Sequence, residues 1–330
     1  MSVNIDSNHS ANMRNNLTKN ISKFTKEYAS LVAIFIMLIV FSLASPYFFS
    51  AENFSNILLQ TATVGIVTIG QALLITTGQF DLSLGQNACL SSIVAAYLMK
   101  IVGLNPIPAI LIALAVGALV GAANGFLYAY CGIPAFMATL GLMYVCKGFA
   151  KIISNATPIA NLPNSIGFLG RGYLGPIPNS VIIMVGLFIL FQFMSRKTRF
   201  GRNIYAVGGG ASAAYFSGIN TKRIYLYVFT IAGLLSAAGG IVLMSRLNSA
   251  SITNGNQYEF DAVIASVIGG ISLSGGKGKI IGALFGSIFL VMFFNGMTML
   301  NVDPFYQDVI KGFVLVVAIA VDILRNRRKN

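Results

Sequence analysis

The chain alternates between long apolar runs and short polar breaks. The runs fall at about 29–49, 55–76, 84–101, 106–129, 133–153, 180–195, 224–245, 262–274, 280–300 and 309–324. A helix needs about 20 apolar residues to cross a hydrocarbon core of about 30 Å. Three runs, 84–101, 180–195 and 262–274, are short for that task, so tilted, re-entrant or interrupted segments are expected there. The pattern predicts an all-α polytopic membrane protein with about ten transmembrane helices. The first run could be read as the core of a signal peptide. The polar stretch before it is long for one, however, and the run is long enough to span, so an uncleaved first span is expected.

Composition supports this reading. Of 330 residues, 56% are hydrophobic and only 9% are charged, against about 25% charged in a soluble domain. Too few polar side chains remain to coat a soluble fold of this size. The net charge of +13 would suit nucleic-acid binding in a soluble chain. Here the basic residues cluster in loops and tails, where the positive-inside rule explains them better. Ten crossings that start inside place the 1–28 tail, the 196–223 loop, Lys277, Lys279 and the 325–330 tail in the cytoplasm. Only Lys100, Lys147, Lys151, Arg171, Arg246 and Lys311 are left toward the other side, and both termini are then cytoplasmic. Cys89, Cys131 and Cys146 lie in apolar stretches without paired spacing and read as small buried hydrophobes. His9, the sole histidine, lies in the polar tail. Histidine catalysis is excluded, and nothing indicates a metal or cofactor site in this chain.

In such a chain the polar exceptions carry the information. The first is Gly78-Gln79-Phe80-Asp81-Leu82-Ser83-Leu84-Gly85, between the second and third runs. Asp81 and Ser83 suit either of two roles, capping the third helix or lining a path for a solute. The second is Tyr258-Glu259-Phe260-Asp261, before the short eighth run. An acidic segment thus leads into a short helix in each half of the chain. By the charge topology these acidic segments lie on opposite faces, as an inverted repeat would place them, with interrupted helices meeting near the middle of the membrane. Asn124-Gly125 and Asn295-Gly296 add to the internal likeness. The third is the 196–223 loop, whose Ala-rich, glycine-bounded sequence suits a small amphipathic helix. Such a helix would dock another subunit or lie on the membrane surface.

Nucleotide motifs fail. Before Gly276-Lys277 the first P-loop glycine is replaced by Ile271, and Gly278 follows the lysine. Gly208-Gly209-Gly210 lacks the spaced third glycine of a dinucleotide fingerprint. Any energy for active transport must come from an ion gradient or another polypeptide.

In these segments the chain resembles the permease subunits of ribose-type bacterial ABC importers, which move simple sugars and related polyols. The matching stretches are GQFDLSLG (78–85), GAANG (121–125), GIPAFMATLG (132–141), RFGRNIYAVGGG through SGI (199–219), YEFDAVIASVIGGISLSGGKG (258–278) and NG (295–296). Departures from the family pattern are Gly210 in place of an Asn, Ala135 in place of a second proline, Lys147 in place of an Arg, and Ile264 and Ser266. The resemblance implies a cytoplasmic tail at 1–28, a transmembrane permease domain at 29–324 and a cytoplasmic tail at 325–330. It implies several partners in a bacterial inner membrane: a P-loop ATPase subunit carrying ATP and Mg in the cytoplasm, an extracytoplasmic sugar-binding protein, and a second permease copy or paralogue.

On that basis Arg199, Gly201, Arg202, Gly208, Gly209, Ala213, Ala214, Ser217 and Gly218 form the ATPase-docking loop. Loops 154–179 and 246–260 would meet the binding protein. Asp81, Ser83, Asn124, Glu259, Asp261, Ser272 and Asn295 are the candidates for the translocation path or its gates. The competing reading is an ion-coupled secondary transporter using Asp81, Lys147 and Asp308.

Overall fold

A computed structural model describes residues 29–327, and side chains over 31–324. The 1–28 tail, with His9, and residues 328–330 lie outside the described residues. Over the described residues the chain is mostly helical with almost no sheet, and a helix lies at each of the ten predicted places. These are α1 (Ala29–Ala44), α2 (Ala51–Thr76), α3 (Leu84–Lys100), α4 (Pro106–Ala129) and α5 (Ala135–Ser154). The strand β1 (Ile159–Ala160), the short helix α6 (Gly167–Gly170) and the hairpin β2 (Tyr173–Leu174) and β3 (Ile177–Pro178) follow. Next come α7 (Asn179–Lys197), α8 (Arg199–Gly209), α9 (Ala211–Phe216) and α10 (Thr221–Leu247). The chain then runs through β4 (Ser249–Ala250), α11 (Tyr258–Ile268), α12 (Ile280–Met299) and α13 (Pro304–Arg327). The last helix therefore continues past the predicted boundary at residue 324.

Among the described residues, six helices are long and apolar enough to cross a membrane: α2, α4, α5, α7, α10 and α12. Predicted as short, α7 reaches 19 residues because its helix takes in Asn179 and the basic Arg196 and Lys197. The eighth run moves most. Expected at 262–274, α11 starts at Tyr258 and ends at Ile268. Its acidic first turn is helical, and Gly270, at φ +86°, turns the chain in a conformation that side chains with a Cβ resist.

Two helices make the centre. Every residue of α2 from Thr61 to Thr76 is buried, and α2 packs on α7, α10, α11 and α12. The other, α10, runs antiparallel to α2 and α4. Its contact with α4 is a glycine crossing: a Cβ on Gly233 would overlap the Gly117 carbonyl, and one on Gly121 would overlap that of Phe229. Such close approach favours helix association where no hydrophobic force separates helix from lipid. Outward faces are apolar, as with Ile107, Leu111, Leu119 and Phe126 on α4, which suits lipid contact.

The chain twice leaves a central helix and turns back along it. After α2, residues 77–83 return to the level of Ser236, near the middle of α10, where the Ser236 hydroxyl donates to the Leu84 carbonyl. From there α3 runs toward the end of the bundle where α10 finishes. After α10, residues 248–257 return to the same level, and α11 runs the opposite way. The two helix starts meet: a Cβ on Gly85 would overlap Glu259 Oε2, and Gly255 packs on Gly85 and Ala88. Two shortened helices, of 17 and 11 residues, diverging from one point is the geometry expected of opposed interrupted helices. At the α10 end, β1 pairs antiparallel with β4, Ile159 facing Ala250. This joins loops 154–179 and 246–260 into one cap. Of the three cysteines, Cys89 and Cys146 are buried as expected, but Cys131 is exposed. It lies just past the end of α4, in the turn before Gly132, where the apolar run outlasts the helix.

Candidate functional site: a buried polar junction, a cleft and a docking face

The residues singled out in the sequence fall into separate groups. Asp81, fully buried, occupies the segment that climbs from the end of α2. Its Oδ1 accepts hydrogen bonds from the amide and the hydroxyl of Ser83, both at 2.6 Å, and its Oδ2 accepts from Asn124 Nδ2 on α4 at 3.1 Å. The same Asn124 nitrogen reaches Ser83 Oγ at 2.8 Å. Gln71 Oε1 on α2 accepts from the Asp81 amide at 3.3 Å. One turn into α3, Asn87 donates to the carbonyls of Gly117 and Gly233 at 3.1 and 3.2 Å, linking α4 and α10.

The simple capping expectation therefore needs correcting. The Ser83 side chain makes no cap bond, and Asp81 takes the amide just ahead of the first turn. The carboxylate closes a tight turn and fastens it to α4.

Glu259, in the first turn of α11, borders this junction across Gly85. It is only 4% exposed, and its Oε2 has no hydrogen bond among the described residues. Asp261, two residues on, faces elsewhere and meets Lys311 Nζ of α13 at 2.9 Å. That pair lies on a cleft at the cap end of the bundle, between α2, α10, α11, α12 and α13.

Asn295 and Ser272 join neither group. Asn295 is buried on α12 with its Oδ1 unpaired among the described residues. Ser272 lies beyond α11, where its hydroxyl and the Leu273 amide meet Asp322 Oδ2 at 3.3 and 2.9 Å. No cluster of three or more His, Cys, Asp or Glu among the described residues could hold a metal ion.

The predicted docking loop forms two short helices. Thr198 caps α8, accepting from the Gly201 amide at 3.0 Å. One face of α8 buries Gly201, Ile204 and Val207, while Arg199, Arg202 and Gly209 are exposed. On α9, Ala214 turns inward, and Ala213, Ser217 and Gly218 are exposed. Sequence reasoning missed the most prominent pair: Tyr215 and Phe216 are 64% and 87% exposed, with ring centroids 5.8 Å apart. A Tyr-Phe pair outside any apolar run, between Ala-Ala and Ser-Gly, was the available signal.

The inner face of α8 is locked to the rest of the chain through backbone. A Cβ on Gly208 would overlap the Thr76 carbonyl at the end of α2. The Gly276 amide donates to that same carbonyl at 2.9 Å, and Tyr205 OH donates to the Gly278 carbonyl at 3.0 Å. Burial pushes the Tyr205 hydroxyl above its ordinary pKa, so it stays a proton donor. These contacts join α8 to the end of α2 and to the turn that follows α11, the two elements next to the buried junction.

The chain is 38% identical to the ribose import permease of Escherichia coli K12 over 307 residues, covering 91% of this chain and 95% of the relative. It is 40% identical to the ribose import permease of Bacillus subtilis 168 over 293 residues, 88% and 91% of the two chains. It is 34% identical to the galactose/methyl galactoside import permease of Haemophilus influenzae over 322 residues, 92% and 96%. The family described as "Branched-chain amino acid transport system / permease component" matches residues 53–319. With relatives this close over nearly their whole length, the chain belongs to this family of permease components: it is a membrane-spanning transport subunit and not an enzyme.

Proposed function

We propose that this chain is the permease subunit of an ATP-driven importer of a monosaccharide or similar small polyol in a bacterial inner membrane. It crosses ten times with both termini in the cytoplasm, its two interrupted helices belong to an inverted repeat, and it pairs with a second permease copy or paralogue. An extracytoplasmic binding protein delivers the sugar to the cap built from loops 154–179 and 246–260. A P-loop ATPase carrying ATP and Mg docks on α8 and α9.

One observation carries this reading: the double-faced character of 199–219. One face is wedged by glycine against the ends of α2 and the 271–278 turn, and the other offers Arg202, Tyr215 and Phe216 to a partner. A carrier working alone has no use for such a segment. ATP-driven closure of two ATPases would move α8, and the Gly208–Thr76–Gly276 joint would pass that motion to the junction where α3 and α11 start. Opening and closing there would alternate access for the sugar.

The test is purification of the chain from its native membrane in mild detergent, with and without residues 201–219 scrambled, followed by reconstitution with its partners. Co-purification of a P-loop ATPase that scrambling removes, with ATP-dependent uptake of D-ribose or D-galactose, is expected. A chain that arrives alone and transports without ATP would make it an ion-coupled carrier.

A further inference from the structure

A cleft of about 320 Å³ opens at the cap end of the bundle, beneath the first turns of α13. Its lining is unusual for an apolar chain. Arg246 and Lys311 face it together with Asp261 and Asp308, so its formal charges cancel. Intramembrane charges are costly and tend to mark solute paths. A balanced set offers hydrogen bonds at full strength without selecting an ion.

Two of these charges are already paired, Asp261 with Lys311 at 2.9 Å, and the Lys311 ammonium also sits 5.1 Å from the centre of the Phe294 ring. The unengaged groups are more telling. Among the described residues, no hydrogen bond or ion pair engages the half-buried side chains of Gln60 and Arg246. Gln307 directs its amide nitrogen to the Val302 carbonyl and Thr298 Oγ1, at 2.9 and 3.2 Å, which leaves its carbonyl oxygen as an acceptor. Phe294 and Tyr258 supply ring surface to the same lining.

Forked donors and acceptors beside aromatic faces suit a ring that carries hydroxyls on its edge and C–H groups on its faces. The volume is at the lower end of the range for small-molecule pockets, about 300–1,000 Å³, enough for one such ring.

We propose that this cleft is a binding subsite for a single neutral polyhydroxylated ring, held by Gln60, Arg246 and Gln307 across the Asp261–Lys311 pair. The assignment rests on the importer reading for its direction of use. It goes beyond it by placing the solute at the cap end of the chain, against the first turn of α11. Tyr258 and Asp261 line the cleft, and Glu259, between them in sequence, touches Gly85. A ring released by the binding protein would therefore wait one helical turn from the junction of the interrupted helices.

The test uses the full chain in its assembled transporter, with Cys131 replaced by Ser. Pro304→Cys puts a thiol at an exposed lining position that makes none of the proposed contacts. Its reaction with a water-soluble maleimide is expected to slow severalfold in D-ribose and to be unchanged in L-leucine. Gln60→Leu and Arg246→Gln are each expected to lower the D-ribose taken up per ATP hydrolysed by about tenfold, the worth of roughly one hydrogen bond.

Equal protection by both solutes, protection by L-leucine alone, or no protection by D-ribose would overturn the subsite. So would wild-type uptake per ATP in both variants. Protection by D-ribose in a chain that shows no ATP-driven uptake would keep the subsite and overturn the importer reading instead.

Discussion

At the scale of single residues, the chain concentrates its polar chemistry where helices start in mid-bundle. A helix beginning at Leu84, away from water, needs partners for its free amides and for the turn that leads into it. Asp81, Ser83, Asn87 and Asn124 provide them from within 43 residues of one another. Asp81→Ala would strand the Ser83 amide and hydroxyl and leave the Asn124 amide with Ser83 Oγ alone, a loss of about 2–4 kcal/mol on the usual cost of buried unpaired groups. Asn124→Ala should cost less. The double variant should be little worse than Asp81→Ala alone, because both substitutions break the same network. Melting of the purified variants in detergent gives the cycle; additive losses would mean that the two side chains act separately. Sequence flagged both residues, since a carboxylate and an amide in an apolar chain stand out. Their pairing was not legible, because it depends on how α4 crosses α10 at Gly121 and Gly233, and hydropathy carries no crossing geometry.

At the scale of elements, the apolar runs located the long helices well, since a span of that length has few alternatives in lipid. They failed at α11. Its acidic first turn is helical because carboxylates favour a helix N-terminus, and its apolar tail is not, because Gly269-Gly270 ends it. The same blindness hid the outward face of α9, where Tyr215 and Phe216 look like core residues until the fold leaves them uncovered.

Two outcomes follow at this scale. Phe216→Ser should leave the chain in the membrane with its melting unchanged, and should abolish retention of the ATPase during purification. Retention at the wild-type level would remove α9 from the docking surface. Gly208→Val should act on the inner face. Its side chain cannot fit against the Thr76 carbonyl without prying α8 off the bundle. ATP hydrolysis would then continue while uptake stops, whereas Tyr205→Phe, which loses one exchangeable hydrogen bond to Gly278, should keep uptake within a fewfold of wild type. Coupled uptake in Gly208→Val would show that motion reaches α2 by another route.

At the scale of the whole molecule, the two ends of the bundle differ in charge as well as in shape. One end carries α8 and α9, the 271–278 turn, the close of α2 and the Tyr130–Gly132 turn. Lys222 Nζ lies 5.7 Å from the centre of the Tyr130 ring, tying that turn to the start of α10. Arg196, Lys197, Arg199, Arg202, Lys222, Arg223, Lys277 and Lys279 all belong to this end. The other end holds the β1–β4 cap and the polar cleft, with fewer basic residues: Lys100, Lys151, Arg171, Arg246 and Lys311, the last paired with Asp261. On the proposed topology the first end is cytoplasmic, as the positive-inside rule expects, and that is the side on which α8 and α9 would meet an ATP-bound partner.

The chain carries its own probe for this. Cys131 is exposed in the Tyr130–Gly132 turn, while Cys89 and Cys146 are buried and out of reach of a water-soluble reagent. A membrane-impermeant maleimide should therefore label the wild-type chain in inside-out vesicles, spare it in right-side-out ones, and lose the label with Cys131→Ser. Labelling from the outer face would invert the whole assignment. It would put the basic loops outside against the charge rule, leave 199–219 without ATP to answer to, and turn the polar cleft toward the cytoplasm.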